Sequence, residues 1–318
     1  MDAVDYVIER VDHGKKDSLV LEFVYLFREV FGKEIAHNFI EWRYFSSPYA
    51  GPIMYVARDN SGKLIANYSA SAVPMSIDGK VVLSLLSMST MTHPKYCGKG
   101  IFTRLACELY REEKEKFDCI WGFPNANSHA SFITKLGWTD LYEVPTKSIN
   151  FNVISDLKLP KYIVEDDQFS LNYPDQVGLS ENISVIKNAN YLRWRYRDNP
   201  INRYKCFAFT DDGATVKGFA VVKIFGPSLD LLELHGETYE IFDSLLRSVY
   251  FYGSKAKKDN LNLWSLPWMK SHPVIERHGA KNALPVTYLA VRGLANKNPA
   301  LLTCSRNWSI QMGDSDVY

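Results

Sequence analysis

From Val81 to Met91 the chain reads VVLSLLSMSTM, a run of apolar and small residues of strand length. From Ile101 the period changes. Ile101, Leu105 and Leu109 fall four apart, with Phe102 and Ala106 beside them, which predicts a helix over Gly100–Phe117. Glu112 and Lys116 can pair at i,i+4 on its outer face. Cys119–Phe123 then reads as a strand, Ser128–Lys135 as a short helix ended by Gly137, and Ser148–Val153 as a closing strand. Upstream, IMYVARDNSGKLIANYSA reads as strand, turn and strand around Asp59-Asn60-Ser61-Gly62.

The same order recurs. Asn38–Pro48 is NFIEWRYFSSP and Asn190–Pro200 is NYLRWRYRDNP, identical at five of eleven positions. The second copy is followed by a hairpin pattern turning at Asp211-Asp212-Gly213. Strand, helix, strand, short helix and closing strand then fall at Leu229–His235, Tyr239–Tyr252, Leu261–Leu266, Pro273–Arg277 and Val286–Val291. A repeat of this length points to a duplicated unit. The expected domains are 1–155 and 156–318. The segment Ser155–Val177, with Pro160 and Pro174, is expected to hold the linker.

A length of 318 residues suits two domains, and 46% apolar content is ample for two cores. A net charge of +1 argues against broad nucleic-acid binding, which needs a concentrated basic face. The five scattered cysteines form no C-x-x-C, so neither a disulfide framework nor a metal site is expected. The start, Met1 to Val11, carries acids and no apolar stretch, and no run of about 18 apolar residues occurs, so neither a secretory signal nor a membrane span is expected. A cytoplasmic protein with reduced thiols is the expectation; the oligomeric state is left open.

The candidate chemistry lies where the first strand meets its helix. Lys95-Tyr96-Cys97-Gly98-Lys99-Gly100 falls between Met91 and Ile101. Two glycines let the backbone turn tightly and approach a ligand closely. The unpaired N–H groups of a first helical turn, with the helix dipole, favour an anion there. Lys95 and Lys99 add positive charge. A plain turn is the alternative, and the spacing is neither a Walker loop nor a complete dinucleotide fingerprint.

The loop, taken with IWGFPNANSHASFITKLGW about 25 residues on, resembles the GNAT superfamily of N-acetyltransferases. That family has a pyrophosphate loop Arg/Gln-x-x-Gly-x-Gly/Ala, matched here by Lys95-x-x-Gly98-x-Gly100. Its second signature is an Asn-led helix closing at Lys-x-Gly and an aromatic, matched by Asn127 to Lys135-Leu136-Gly137-Trp138. The predicted order β-α-α-β-β-β-α-β-α-β over Tyr6–Val153 is similar to that fold as well. The resemblance implies an α+β protein built as a tandem duplication of the GNAT fold, a mixed, mostly antiparallel sheet flanked by helices, with the second copy degenerate. The run GFPNANS, the closing KLGW and the tail WSIQMGDSDVY look similar to tandem nucleotide-sugar N-acyltransferases of surface-polysaccharide biosynthesis.

What the resemblance implies is transfer of an acyl group from acyl-coenzyme A to an amine, most specifically the amino group of a nucleotide-linked deoxyaminosugar. Another small amine, a peptide amine, or a non-catalytic coenzyme-A sensor are the alternatives. No metal is called for, and the partner is a small-molecule amine rather than a nucleic acid or a membrane. Cofactor contacts fall on Thr90, Thr92, Lys95, Cys97, Gly98, Lys99, Gly100, Ile101, Phe102, Asn125, Asn127, Phe132 and Lys135. Asn125 and Asn127 have helix capping as a second reading. Pantetheine would run beside the strand ending at Thr92. Alternation puts Ser87, Ser89, Met91 and His93 on one face of that strand, and Leu86, Met88, Thr90 and Thr92 on the other. His93 is the first candidate base, or a capping residue before Pro94. Asp314 and Asp316 are candidates if the C-terminus folds back to a cleft, or belong to a solvated tail. Asp316 and His93 are taken as catalytic, Trp42 and Ser89 as substrate-binding. Trp42-Arg43-Tyr44 recurs at Trp194-Arg195-Tyr196, which packing would also explain.

Two departures from the family pattern stand out. The hydroxyl that often protonates the leaving thiolate is replaced by Ile133, although the thiol of coenzyme A is acidic enough to leave without it. In the second half, one glycine, Gly236, is followed by Glu237 and Glu240, whose charge would repel a pyrophosphate. The second half is therefore expected to be an acceptor wall or a structural domain.

Overall fold

The computed structural model describes residues 5–151, 159–175, 183–294 and 299–316. Its elements in chain order are β1 (Tyr6–Arg10), α1 (Lys16–Phe31), α2 (His37–Ile40), β2 (Ile53–Asp59), β3 (Leu64–Ile77), β4 (Lys80–Thr92), α3 (Ile101–Glu113), β5 (Cys119–Gly122), α4 (His129–Leu136) and β6 (Thr139–Asn150). There follow β7 (Ile163–Glu165), β8 (Ile183–Val185), α5 (Ala189–Leu192), β9 (Lys205–Phe209), β10 (Gly218–Phe225), β11 (Ser228–Gly236), α6 (Tyr239–Lys255), β12 (Asn260–Trp264), α7 (His272–Arg277), β13 (Lys281–Gly293), α8 (Pro299–Thr303) and β14 (Trp308–Ser309). The order from β1 to β6 is the one the sequence pattern predicts.

The chain forms two compact units. The first takes the described residues of Met1–Met75, Val81–Leu141 and Leu289–Thr303; the second takes those of Ser76–Lys80, Tyr142–Tyr288 and Cys304–Tyr318. In the first, the strand order is β1-β2-β3-β4-β5, closed by the end of β13. β1 and β2 are antiparallel, β2 and β3 are antiparallel, and β4 runs parallel to β5. Alternation along β2 sorts its side chains to two layers. Ile53, Tyr55 and Ala57 pack with Leu105 and Leu109 of α3, whereas Met54 and Val56 pack with Leu19, Phe23 and Leu26 of α1. The result is a mixed sheet flanked by helices, an α+β fold.

The second unit orders its strands β7-β9-β10-β11-β12-β6, with β11 and β12 parallel and β12 and β6 antiparallel. Leu245, Leu246, Val249 and Tyr250 of α6 pack on Phe207, Ala220, Leu229 and Leu261. Of the expected linker Ser155–Val177, residues 155–158 and 176–177 lie outside the described set, while Ile163–Glu165 is strand β7, antiparallel to β9.

The closing strands correct the sequence expectation. Each half was expected to close with its own last strand. Instead Thr146–Asn150 of β6 pairs with β12 in the second unit, and Ala290–Gly293 of β13 pairs with β5 in the first. An alternating pattern specifies that a segment is a strand but not which edge it joins. Residues 152 and 153 of the expected strand Ser148–Val153 lie outside the described residues.

Candidate active site

β4 and β5 are in register only at Leu85–Ile120 and Leu86–Trp121, yet β4 continues to Thr92. The two strands therefore part beyond Leu86. Ser89 has φ 49°, a left-handed value that a serine adopts only at a local distortion. This overturns the strict alternation expected for the strand. Ser87 donates to Tyr68 Oη at 3.3 Å, in the layer of α3. Met88 and Met91, expected on opposite faces, both lie in the layer of α1. One left-handed residue between them shifts the period. Asn67 pins the distortion by donating to the Ser89 carbonyl at 2.9 Å. Ser89, Thr90 and Thr92 are half-buried at the end of the strand, after the buried stretch Ser84–Met88, bordering the space that opens there.

After Thr92 the chain makes a short 3₁₀ turn, Pro94–Tyr96, and then the glycine loop. Gly98 and Gly100 both have φ 76°, and a Cβ at either would meet nothing within 4 Å. The glycines thus serve the backbone conformation, and the space above them is open to a ligand. Gly100 is the N-cap of α3 and offers no side chain, and no acid lies in the first turn. The N–H groups of Ile101, Phe102 and Thr103 precede the first helical bond, Arg104 N to Gly100 O at 3.1 Å, so the turn presents donors and a positive dipole end. Lys95 and Lys99 are exposed beside it, and Cys97 is an exposed thiol. The 3₁₀ turn is braced where Tyr96 Oη donates to Asp59 Oδ2 at 2.9 Å. Bonds from Ser61, with Tyr96 and the backbone after them, hold the Asp59 carboxyl down at about 2.

The corresponding helix of the second unit is built differently. Thr238 caps α6 through the Ile241 N–H, Glu240 lies in the first turn, and Glu237 precedes the cap. Those donors are spent or faced by negative charge.

Residues 14–140 match the model of the acetyltransferase (GNAT) domain family. The chain carries a GNAT acetyltransferase domain. It is accordingly an N-acyltransferase that draws its acyl group from acyl-coenzyme A. Solved structures of similar fold include a probable N-acyltransferase from Enterococcus faecalis V583, 13% identical with TM-score 0.67, the match covering 91% of this chain and 73% of that one. A GCN5-related N-acetyltransferase from Anabaena variabilis ATCC 29413 is 9% identical with TM-score 0.63, over 91% and 73%. Another, from Kribbella flavida, is 12% identical with TM-score 0.66, over 91% and 72%. At such identities the likeness speaks to the fold. No curated protein matches the chain.

Within this GNAT domain the loop residues Lys95 to Phe102 and the strand residues Ser89, Thr90 and Thr92 are contiguous. Other expected site residues have structural employment. His93 is 6% exposed. Its Nδ1 accepts the Lys95 N–H at 3.2 Å, and its Nε2 lies 3.8 Å from Glu29. Burial, with Lys63 adding to it, pushes its pKa down. Nδ1 is spent as a cap, so the neutral ring carries its proton on Nε2 and has no lone pair left for a substrate. Asn125 turns Oδ1 to the N–H groups of Asn127 and Ser128, at 3.0 and 3.2 Å, and caps the approach to α4; Asn127 itself is exposed. Phe132 is buried, 4.7 Å from Trp138 and 5.4 Å from Phe102, and Ile133 packs against the same core. Lys135 is exposed in the last turn of α4. Trp42 is 5% exposed and packs on Phe39 in a π-helical turn, Glu41–Phe45, that places it in the core rather than at a surface.

Sequence reasoning missed two groups. One is a buried hydroxyl line: Trp138 Nε1 donates to Tyr110 Oη at 2.8 Å, and Tyr110 meets Tyr68 at 2.7 Å, next to Ser87. Burial pushes both tyrosines up, so they stay protonated. The other is Arg292 of β13. It reaches the Leu136 carbonyl at the C-terminus of α4 and lies over the Tyr110 ring at 5.0 Å. Its position 156 residues away in sequence hides it from any local pattern.

The C-terminal tail is not a solvated appendage. Arg195, in the second π-helical turn Arg193–Arg197, donates to the Ser315 carbonyl at 2.8 Å and the Gly313 carbonyl at 3.4 Å. A Cβ on Gly313 would collide with Tyr196 Oη and Glu233 Oε1, so only glycine fits. Asp314 is buried and Asp316 half-buried. Among the described residues no group of three or more His, Cys, Asp or Glu side chains could hold a metal, and no helix is long and apolar enough to cross a membrane.

Proposed function

We propose that this enzyme acylates the amino group of a nucleotide-linked deoxyaminosugar, with the donor's pyrophosphate held by the loop Lys95–Gly100 and the first turn of α3. The observation that carries the donor side is the uncapped, acid-free start of α3 behind two glycines with positive φ. In the reaction the neutral amine attacks the thioester carbonyl, the N–C bond forms and the C–S bond breaks. The amine's proton is lost, and the sulfur leaves as thiolate and is released as the thiol. The distorted end of β4, with Ser89 and Thr90 half-buried, suits the thioester because strand amides there can face its oxygen. Ile133 offers no acid, in keeping with a thiolate that departs unassisted.

The second unit is, in this reading, a duplicated copy that no longer takes pyrophosphate. Its strand order and its paired α-then-π turn at Trp194-Arg195-Tyr196 support the duplication. The capped and acidic start of α6 supports the loss. A cytoplasmic location fits a substrate pool of coenzyme A thioesters and nucleotide sugars.

The test is release of free thiol from acetyl-, longer acyl- and hydroxyacyl-coenzyme A against a panel of amines that includes amino-deoxysugar nucleotides. Release dependent on the sugar nucleotide is the expected result. Release with polyamines or peptide amines and none with sugar nucleotides would overturn the acceptor.

A further inference from the structure

The second unit contains a cavity of about 440 Å³ beside the ends of β11 and β12. That volume lies within the range of about 300–1,000 Å³ usual for small-molecule sites. β11 pairs with β12 only as far as Leu231–Leu263 and then runs on to Gly236, so the strands part and leave the space. The C-terminal tail supplies one wall through Ser309, Gln311 and Asp314.

The wall is polar and buried. Lys187, 1% exposed, pairs with Glu233 at 2.7 Å and with Asp314. Tyr196 donates to Glu233 as well. His235 Nε2 lies 2.8 Å from Glu233 Oε2 and 3.0 Å from Gln311 Nε2, while Gln311 Oε1 takes the Leu234 N–H. A carboxylate only accepts; burial opposes its charge, but Lys187, with His235 beside it, holds Glu233 ionised and its pKa below the usual carboxylate value. The Nε2 of His235 therefore donates to Glu233 rather than accepting from Gln311 Nε2, and in the neutral ring the lone pair falls on Nδ1. Among the described residues nothing hydrogen-bonds to Nδ1. The ring is held flat against Phe219, centroids 4.7 Å apart and 27° between planes, so its orientation is fixed.

The charge balance decides what fits. The deep cation, Lys187, is used twice over, and Lys217 is paired with Asp211 at 2.5 Å. What the cavity offers a ligand is acceptors: His235 Nδ1 and the Glu237 carboxylate, which makes no hydrogen bond among the described residues and feels the charge of Lys217. Lys270 at the wall offsets Glu237 in net charge, so neither an anion nor a bare polycation is favoured. Ser271 and Ser309 line the cavity together with Phe219 and Phe242. Such a mixture suits a ring with hydroxyls on its edge and C–H groups on its faces.

We propose that this cavity is a binding site for a primary amine carried on a hydroxylated ring, an amino sugar, whose nitrogen donates to His235 Nδ1 and Glu237. The site is complete within the second unit, and the inference stands whether or not the bound amine is acylated. The experiment is calorimetric titration of the full chain with glucosamine, and with N-acetylglucosamine, glucose and glucose 6-phosphate as comparisons. Glucosamine is expected to bind at least tenfold more tightly than the three others. His235→Gln and Glu237→Gln should each lower its affinity at least fivefold, with coenzyme A binding unchanged. Glu237 is exposed, so its replacement is expected to leave the fold intact, which guards against a folding defect in the histidine variant. Equal binding of glucose, preference for the phosphate, no binding of any probe, or affinity indifferent to both substitutions would each overturn the proposal. Glucosamine binding without thiol release, or thiol release from amines that do not compete with glucosamine, separates this site from the transferase reading.

Discussion

A side chain's chemistry is fixed by what its atoms already touch, and His93 illustrates it. Residue type and position make it an attractive base, standing just past the strand that ends at Thr92. Its Nδ1, however, accepts the Lys95 amide, which makes it the cap of the turn that launches the phosphate loop. Burial depresses its pKa in the folded chain relative to the unfolded value of about 6.5. The sign follows from linkage. Below about pH 6.5 the unfolded chain takes up a proton that the folded chain resists, so this residue's stabilisation is present above that pH and is lost as pH falls through the folded value. Asparagine keeps an acceptor for the Lys95 amide and does not titrate. His93→Asn should therefore melt less steeply with falling pH between 7 and 5 than the parent, and should keep the parent's pH–rate profile. A loss of the alkaline plateau of rate in the variant would return His93 to the role of base.

At the scale of elements, the two helices that follow β4 and β11 show how a few residues set a function. α3 starts after two glycines with no cap and no acid; α6 starts after a threonine cap between two glutamates. The pair predicts the effect of adding charge to the first. Gly98→Asp places a carboxylate where a Cβ meets nothing within 4 Å, so folding suffers only the backbone cost of φ 76°, about 1 kcal/mol. Coenzyme A affinity should drop at least about tenfold, or about 1.4 kcal/mol. Gly98→Ala, which carries the same backbone cost without the charge, should lose about threefold or less. Titration calorimetry reads both, and equal losses would mean that backbone geometry, not anion repulsion, controls the loop. These elements were legible in the sequence because strand, glycine loop and helix are local patterns. The distortion at Ser89 was not, because a left-handed serine leaves no compositional trace. Nor was the tail's burial, since Arg195 and Ser315 meet across 120 residues of chain.

For the whole molecule, the exchange of closing strands has the largest consequence. The first unit's β5 takes its outer partner from Ala290–Gly293, and the second unit's β12 takes its own from Thr146–Asn150. Neither half of the chain holds a complete sheet. The loss is more than an edge, because Arg292 on that returning strand also holds the C-terminus of α4 and the Tyr110 ring. A fragment ending at Asn150 would keep the whole phosphate loop yet leave β5, buried throughout its length, as an open edge. Exposing such a strand removes its ladder bonds and invites pairing with other chains. The fragment should therefore lack a cooperative thermal transition, aggregate on concentration and fail to bind coenzyme A. The intact chain should unfold in a single transition by circular dichroism and by tryptophan fluorescence, because each sheet needs a strand from the other half. A fragment that melts cooperatively and binds coenzyme A would show that the returning strand is dispensable. Two separate transitions in the intact chain would show that the exchange leaves the units thermodynamically independent.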